Sequence, residues 1–390
     1  MLEKVIFHIG LHKTGTTSLQ FDFLRNSRRL KKSGILYPKF YVRRNALSNH
    51  SWPILNLILS SPSDYHLNIS NKMTNNERDD FFKATLKTLH SQAKDSPVML
   101  ISGEGLSIVG YDALVRLRNH FQLLSIKPIE FEFHYFTRSK FSFIQSIIQE
   151  RVKNGESEHA IVNSMASNMP SNEYIHIDEL KRVFNKSKLY KHDYDLACNY
   201  ESGIKSYFFS NVLGMDSSLL RLNEKYSKNK SLSVQSYEMV KFYTENSVSN
   251  TGVPVLGSEY KSNIDLLSRF SGRRFEINER HKELILDVAA KKNTAVREAW
   301  EKFFLERNNI FSLQEVWQGV DVKKLTKIIN LTSEECKNIL VDYFIAQALF
   351  YKSLNDFNTA NNLINVVKKI TLDGELNNSR LASCFCCDEV

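Results

Sequence analysis

The sequence predicts an α/β protein, in which a parallel β-sheet is flanked by helices and followed by a helical C-terminal extension. Over the first half of the 390-residue chain, short β-rich runs alternate with helical patterns, which is typical of a parallel sheet covered on both faces. Beyond about residue 172 the periodicity is almost entirely helical. The scarcity of Gly (14) and Pro (7) argues against a β-sandwich or a low-complexity chain.

Three β-rich runs, each followed by a helical pattern, define the predicted sheet. They lie at 5–9, 98–101 and 129–136, and a shorter fourth run lies at 188–190. The helix after the first run has Leu19 and Phe23 on its apolar side, and a second helix is predicted over 108–121. The helix after the third run places Ile144 on an apolar face and Ser146 on the opposite, polar face.

Two further segments complete the predicted organisation. Residues 40–97 form a long insertion between the first helix and the second strand. An insertion of this size at the carboxyl end of a parallel sheet is where a substrate is expected to bind. Helical patterns at 281–307 and 320–370 predict the C-terminal helices.

Composition narrows the class of ligand. The net charge of +9, from 52 Lys and Arg against 43 Asp and Glu, favours a nucleotide, an acidic glycan, nucleic acid or a membrane surface. The basic residues are dispersed along the chain, which argues against nucleic acid as the partner. Because no apolar run reaches the length of about 18 residues that a membrane span needs, at most a peripheral membrane contact is expected.

Cysteine usage indicates a reducing environment. Cys198 and Cys336 stand alone, and the remaining three cysteines, Cys384, Cys386 and Cys387, lie at the C-terminal end. This pattern implies no disulfide framework. The first apolar run is too short for a signal peptide. We therefore expect a cytoplasmic protein with a disordered, Cys-rich tail.

The first strand runs directly into Gly10-Leu11-His12-Lys13-Thr14-Gly15-Thr16-Thr17. Backbone N–H groups in such a turn before a helix N-terminus form a cradle for anionic oxygens, so the sheet is predicted to be of the P-loop type. In nucleotide triphosphatases a lysine follows the second glycine, whereas here Thr16 holds that position and the loop lysine is Lys13. This difference weakens the alternative of a P-loop kinase or ATPase.

The loop belongs to a longer motif, His8-Ile9-Gly10-x-His12-Lys13-Thr14-Gly15-Thr16-Thr17-Ser18-Leu19-Gln20. It resembles the 5′-phosphosulfate loop of sulfotransferases that use 3′-phosphoadenosine 5′-phosphosulfate (PAPS), particularly the bacterial glycan-type members. The second motif of that family, which grips the 3′-phosphate, is an arginine at a strand end with a serine eight residues on. Arg138 and Ser146 have this spacing. Shorter similar stretches are Leu36-Tyr37-Pro38 followed by His50, Ile101-Ser102-Gly103-Glu104, Asn229-Lys230-Ser231-Leu232, and Asn293 leading to Phe311.

The resemblance covers roughly residues 1–312 and implies that they form a sulfotransferase domain, with 313–390 as the helical extension. It also implies PAPS as the co-substrate without a metal ion, and a carbohydrate or glycolipid acceptor. The nucleotide-binding residues that it implies are His12, Lys13, Thr14, Gly15, Thr16, Thr17, Ser18, Arg138 and Ser146. The chain departs from many relatives in having Ser-Gly-Glu instead of Ser-Ser-Glu, and one arginine at Arg138 instead of a pair.

Sulfuryl transfer proceeds in line, so catalysis is mainly positioning and stabilisation of moving charge. Lys13 is predicted to neutralise the charge that grows on the leaving 5′-phosphate. Glu104 is the first candidate for the general base, because it follows a predicted core strand. His50, in the insertion, is the second candidate, because the pKa of histidine is naturally near neutrality. His12 would contact the sulfuryl oxygens or pack the loop, and His134 is expected to be structural.

Other functions stay open on the sequence. A protein could bind an anionic ligand through its positive charge without chemistry, or retain the sulfotransferase fold without activity. The acceptor group itself is either a hydroxyl or an amine, and the oligomeric state is not indicated.

Overall fold

The computed structural model of the protein describes residues 2–11, 13–167, 176–201, 203–216, 218, 220, 231–247, 257–292, 294–305 and 315–372. The chain divides into two compact units. The first comprises 1–143 and 171–229, and the second comprises 144–170 and 230–390. The predicted domain boundary near residue 312 stays a prediction. His12, Asn229, Asn293, Phe311 and the Cys-rich tail lie outside the described residues.

The first unit contains the predicted parallel sheet. The described strands are β1 (Lys4–Ile9), β2 (Ile35–Leu36), β3 (Phe40–Val42), β4 (Asn45–Leu47), β5 (Val98–Gly103), β6 (Glu130–Thr137) and β7 (Lys188–Asp193). Five of them form one sheet in the order β2-β5-β1-β6-β7, and every pair in it is parallel. Strands β3 and β4 form a separate antiparallel hairpin. The fold class predicted from the sequence is confirmed.

The strand order creates a switch point beside the central strand. From β1 the chain moves to β2 and β5 on one side, then crosses to β6 and β7 on the other. Ile9, the last residue of β1, is paired with Gly103 of β5 and with Tyr135 of β6, so the carboxyl ends of these strands lie together. In open parallel sheets, ligands bind at the carboxyl edge where the strand order reverses.

Helices cover the sheet of the first unit on both faces. They are α1 (Thr16–Arg25), α2 (Ser27–Lys32), α3 (Ser51–Ile58), α4 (His66–Ser70), α5 (Asn75–Ala93), α6 (Tyr111–Gln122), α9 (Ile177–Val183), α10 (Tyr194–Cys198) and α11 (Gly203–Tyr207). Phe7 belongs to one hydrophobic cluster and its neighbour Ile6 to the other. Strand β1 is almost wholly apolar because neighbouring side chains point to opposite faces and both faces are buried.

The insertion at 40–97 is an ordered part of the first unit. It consists of the β3–β4 hairpin, α3, α4 and the 19-residue helix α5. Helix α5 begins with a capping box, in which Thr74 and Glu77 satisfy each other's backbone N–H groups. Helix α3 meets the end of β5, where the Ser51 hydroxyl accepts the Gly105 N–H at 2.8 Å. The insertion is therefore anchored at the carboxyl edge of the sheet.

The second unit is helical in its described part. Its helices are α8 (Glu158–Ser167), α12 (Val234–Asn246), α13 (Ser258–Leu267), α14 (Glu279–Ala290), α15 (Thr294–Leu305), α16 (Val322–Ile329), α17 (Glu334–Ser353) and α18 (Phe357–Leu372). Helix α7 (Lys140–Lys153) crosses from the first unit into the second. Within the described part of the chain, no helix combines the length and the hydropathy that a membrane crossing requires.

A buried cluster of charged and polar side chains holds the second unit together. The Glu158 carboxylate accepts hydrogen bonds from the Tyr237 hydroxyl at 2.8 Å and from Arg280 at 3.0 Å, and lies 3.0 Å from Nε2 of His281. These residues come from α8, α12 and α14. Because all but Arg280 are less than a tenth exposed, the cluster fixes how the three helices pack.

Candidate functional site

The loop between β1 and α1 contains two residues with left-handed backbone. Lys13 and Gly15 both adopt left-handed conformations, with φ of 65° and 71°. Between them, the buried Thr14 donates its hydroxyl hydrogen to the Leu11 carbonyl at 2.6 Å, which pins the turn from inside. A lysine is strained in this region of φ, whereas glycine is not. The turn therefore places Lys13 at a position where its backbone is held by its neighbours.

Helix α1 begins with its N–H groups directed towards the loop. Among the described side chains, none caps this helix, and its first turn carries no acidic residue. The Ser18 N–H is satisfied by the Gly15 carbonyl at 3.1 Å, while Thr17 is exposed at the first turn. An uncapped N-terminus with no nearby carboxylate of its own favours an anion electrostatically.

Gly10 is required by close packing. A Cβ atom at this position would lie 2.2 Å from Cγ2 of Thr16 and 3.3 Å from Cα of Glu104. The buried side chain of Thr16 thus packs against the base of the loop. The same contacts bring Glu104, the residue that follows β5, beside the loop.

Arg138, at the end of β6, is bonded directly to the loop. Its Nη1 donates to the Lys13 carbonyl at 3.0 Å, and its Nε donates to the Ser142 hydroxyl at 2.5 Å. Its guanidinium also lies over the Tyr194 ring, 4.9 Å from the ring centroid. The side chain is only 7% exposed. Two residues that the sequence assigned to separate anion sites, Lys13 and Arg138, are therefore adjacent.

The sequence did not identify two neighbours of Arg138 on α10. A Cβ at Gly15 would lie 3.3 Å from Cε2 of Tyr194, so this ring packs between the loop and Arg138. The Asp195 carboxylate lies 3.9 Å from Nε of Arg138 and accepts the Ser142 hydroxyl hydrogen at 3.1 Å. Their position in the sequence could have pointed to them, because both residues come directly after β7, as Arg138 comes directly after β6.

Glu104 begins a short 3₁₀ helix, Glu104–Ile108, immediately after β5. The negative charge of Glu104 acts on Tyr65, a residue of the insertion. Burial, and secondarily the negative charge of Glu104, raise the pKa of Tyr65 to about 12. The Tyr65 hydroxyl therefore stays protonated at neutral pH and can donate a hydrogen bond. Glu104 is thus placed between the β1–α1 loop and the insertion.

His50, the second candidate for the general base, lies in an environment that does not suit that role. It is fully buried, stacks on Tyr37 with centroids 4.2 Å apart, and its backbone N–H donates to the Ser102 carbonyl at 2.8 Å. Its Nδ1 accepts the Ser102 N–H at 3.3 Å. Burial lowers the pKa of His50 to about 3. His50 is neutral at physiological pH and joins the insertion to β5.

The remaining predicted residues are placed as follows. Ser146 lies on the part of α7 that belongs to the second unit, and its pairing with Arg138 stays a prediction. His134 is buried in β6 and its Nδ1 is 3.0 Å from Nε2 of His192. Burial, and then the neighbouring charge of His192, lower the pKa of His134 to about 3. This environment is consistent with the structural role expected for His134.

The arrangement collects a glycine-containing loop, a lysine, an arginine and a carboxylate at one edge of a parallel sheet. These groups can hold anionic oxygens and accept a proton. Comparison of the chain with protein-family models, with curated proteins and with solved structures finds no match.

Proposed function

We propose that the protein is a PAPS-dependent sulfotransferase, which transfers a sulfuryl group to a hydroxyl or amine of an acceptor. The observation that carries this proposal is the 3.0 Å hydrogen bond from Arg138 to the Lys13 carbonyl. It joins two segments that are 125 residues apart at the switch point of the sheet. One ligand with two anionic ends can therefore contact the loop and Arg138 together.

The loop suits the 5′ end of the nucleotide. The N–H groups of Gly15, Thr16 and Thr17 lie at the turn and at the uncapped start of α1, where a 5′-phosphosulfate would find backbone donors and a favourable helix dipole. Lys13 adds a positive charge, and its attraction to the leaving oxygen becomes stronger as negative charge grows there.

Arg138 suits the 3′-phosphate. A guanidinium offers five N–H donors in a planar fork, and it matches phosphate better than a lysine does. Two of the Arg138 nitrogens are already oriented by Lys13 and Ser142, so the group is held in place before any ligand binds. Ser146 remains the proposed second contact.

The proposed reaction is a single displacement. The acceptor oxygen or nitrogen forms a bond to sulfur while the bond between sulfur and the 5′-phosphate oxygen breaks. The acceptor proton goes to a general base, and the released electron pair stays on the phosphate oxygen near Lys13. The product nucleotide is adenosine 3′,5′-bisphosphate. The protein contributes alignment and fixed charges, with no metal ion in the proposed step.

We assign the general base to Glu104 in preference to His50. Glu104 lies beside Gly10 of the loop, whereas His50 is fully buried with its pKa lowered to about 3. Burial makes the charged form of His50 unfavourable, so this side chain is a poor proton acceptor near neutral pH. His50 instead positions the insertion relative to β5.

A kinase or ATPase fits this loop less well. In those enzymes the residue after the second glycine is a lysine that reaches the phosphates. Here that residue is Thr16, whose buried side chain packs on Gly10 at the base of the loop. We further propose a reducing, cytoplasmic compartment, because the pattern of cysteines in the sequence implies no disulfide framework.

The proposal is tested by incubating the protein with PAPS and a panel of glycan, glycolipid and phenolic acceptors, followed by mass spectrometry. We expect one acceptor class to gain the mass of a single SO₃ group. Lys13→Ala should abolish transfer while some nucleotide binding remains, and Lys83→Ala, at an exposed lysine of helix α5 in the insertion, serves as the control for loss of one positive charge. Turnover of ATP with no transfer from PAPS would contradict the proposal.

A further inference from the structure

A pocket of about 270 Å³ lies within the insertion, between the β3–β4 hairpin and helix α5. Its wall combines aromatic rings with a guanidinium, two carboxylates and an amide. The residues that carry the argument are Tyr41, Arg43, Trp52, Glu77, Asp80 and Phe81. None of them has a role in the phosphate site. A concave, mostly apolar site with a few polar groups is the usual form of a small-ligand site.

The hairpin tip beside the pocket is conformationally strained. Arg43 and Arg44, the two residues between β3 and β4, both have positive φ, at 45° and 72°. A two-residue hairpin of this kind normally uses Asn-Gly or Asp-Gly, because those residues tolerate positive φ. The chain carries two arginines instead, and strain of this kind is concentrated at functional sites.

Aromatic side chains form the apolar part of the pocket. Trp52 and Phe81 meet edge to face, with centroids 5.5 Å apart. The indole N–H of Trp52 donates to Asn68 at 2.6 Å, which fixes the ring orientation. Tyr41 is 54% exposed at the hairpin. A fixed ring with a second, accessible ring nearby provides surfaces on which the C–H face of a sugar can pack.

The charges in the pocket disfavour an anionic ligand. Arg43 lies 3.6 Å from Glu77 and donates to the Asn71 carbonyl at 3.5 Å, so its charge is largely compensated. Asp80 adds a second carboxylate to the same wall. The lining thus has one guanidinium against two carboxylates, although the whole chain is basic. Carboxylates, guanidinium and amide groups in one wall are well suited to the hydroxyls of a neutral polyol.

We propose that this pocket binds an uncharged saccharide ring. Resting on the proposed function, we further assign it as the subsite for a sugar of the acceptor. Trp52 lies on the first turn of α3, one residue after Ser51, whose hydroxyl accepts the N–H of Gly105. The helix that carries Trp52 is therefore anchored at the end of β5, beside Glu104, the proposed base.

Saccharide binding is measured in the absence of any nucleotide, by saturation-transfer NMR and calorimetry on the full chain. The probes are neutral oligosaccharides of glucose, galactose, mannose and N-acetylglucosamine, a uronic-acid trisaccharide and a glucosamine trisaccharide. We expect at least one neutral probe to bind, and Tyr41→Ala and Asp80→Asn each to weaken it at least fivefold. Asp79→Asn, on the neighbouring exposed position of α5, should leave its affinity unchanged.

Three results would overturn the inference: no neutral probe binds, the uronic acid or the glucosamine probe binds more tightly than every neutral one, or Tyr41→Ala binds as the wild type does. Circular dichroism of each variant checks that a loss of binding is not a loss of fold. Because the measurement uses no nucleotide, it is separate from the proposed transfer. If adenosine 3′,5′-bisphosphate binds but no saccharide does, only the saccharide site is rejected. If a saccharide binds but adenosine 3′,5′-bisphosphate does not, only the proposed sulfuryl transfer is rejected.

Discussion

The carboxylate of Asp195 lies among the donors that a 3′-phosphate would need. It accepts the Ser142 hydroxyl hydrogen at 3.1 Å and the Ser139 N–H at 3.4 Å, and it is 3.9 Å from Nε of Arg138. A phosphate at Arg138 would be repelled by this carboxylate, or would have to displace it. Asp195→Asn removes the negative charge while keeping an oxygen acceptor, so we expect it to tighten binding of adenosine 3′,5′-bisphosphate.

The size of the effect is worked out for a phosphate bound at Arg138, taken to lie about as far from the Asp195 carboxylate as Nε of Arg138 does, 3.9 Å. Two unit charges about 4 Å apart interact by about 1 kcal/mol in water and about 4 kcal/mol at an effective dielectric constant of about 20. The Asp195 side chain is 42% exposed, so solvent screening places the repulsion near the lower value. Since about 1.4 kcal/mol is a factor of ten in affinity, Asp195→Asn should tighten the bisphosphate about fivefold.

Calorimetry with adenosine 3′,5′-bisphosphate and with AMP measures this effect. The matched control is Asp193→Asn, which removes the same charge nearby. Asp193 caps α10 by accepting the Leu196 N–H at 2.9 Å, a bond that asparagine preserves. We expect the bisphosphate affinity to rise in Asp195→Asn alone, with AMP affinity unchanged. Weaker or unchanged binding of the bisphosphate in Asp195→Asn would refute the argument, because the carboxylate would then orient Arg138 without competing with the ligand.

Three other predictions concern the loop and the second unit. Gly10→Ala should destabilise the fold by about 1–3 kcal/mol through overpacking against Thr16, whereas Gly110→Ala, where a Cβ meets nothing within 4 Å, should change the free energy of unfolding by less than about 1 kcal/mol. Lys13→Ala should lower the transfer rate far more than it lowers nucleotide affinity, as single-turnover kinetics and calorimetry would show. Glu158→Gln should cost about 3 kcal/mol in urea unfolding at neutral pH, because Arg280 loses the carboxylate that pairs with it at a site where Glu158 is less than a tenth exposed.

The Glu158 variant also has a predicted pH dependence. Burial raises the pKa of Glu158, but its hydrogen bond to His281 and the positive charges of His281, Lys241 and Arg280 outweigh burial and lower it. A carboxylate with a lowered pKa contributes stability above its unfolded pKa of about 4.3, and that stability is lost as the pH falls further. The difference between wild type and Glu158→Gln should therefore shrink below about pH 4. A difference that grows on acidification would contradict the assigned charge state.

Much of the sheet could be predicted because its strands are apolar runs bounded by loops. The run predicted at 129–136 is observed as β6, Glu130–Thr137, and the run at 5–9 is β1 with one additional residue. Buried parallel strands give this strong signal because both of their faces are covered. The position of the loop between β1 and α1 was equally clear, because its glycines lie between a strand and a helix. That this loop binds a phosphate stays a prediction.

The insertion was harder to predict. Helix α5 buries a narrow stripe, Phe81, Thr85, Leu89 and Ala93, and the rest of its surface is polar. Its start is encoded in the spacing of Thr74 and Glu77, which form a capping box. The burial of His50 could not be predicted, because it depends on Tyr37 and Ser102, which are distant in sequence.

The neighbours of Arg138 show the same limit at the site itself. Asp195 reaches Arg138 because β7 lies beside β6, with Thr137 paired to Asp193. That pairing fixes α10 next to the start of α7, and no local pattern in the sequence specifies it. Sequence could therefore nominate Lys13 and Arg138, but their adjacency and the carboxylate beside them required the strand order.

The two-anion site is tested most directly by comparing adenosine 3′,5′-bisphosphate with AMP in calorimetry, using wild type and Arg138→Ala. Charge-assisted hydrogen bonds of about 1.5–3 kcal/mol predict that wild type prefers the bisphosphate by at least about tenfold. Arg138→Ala should lose that preference and bind AMP about as well as before. Equal affinities of wild type for the two nucleotides would contradict the two-anion site and, with it, the proposed sulfotransferase.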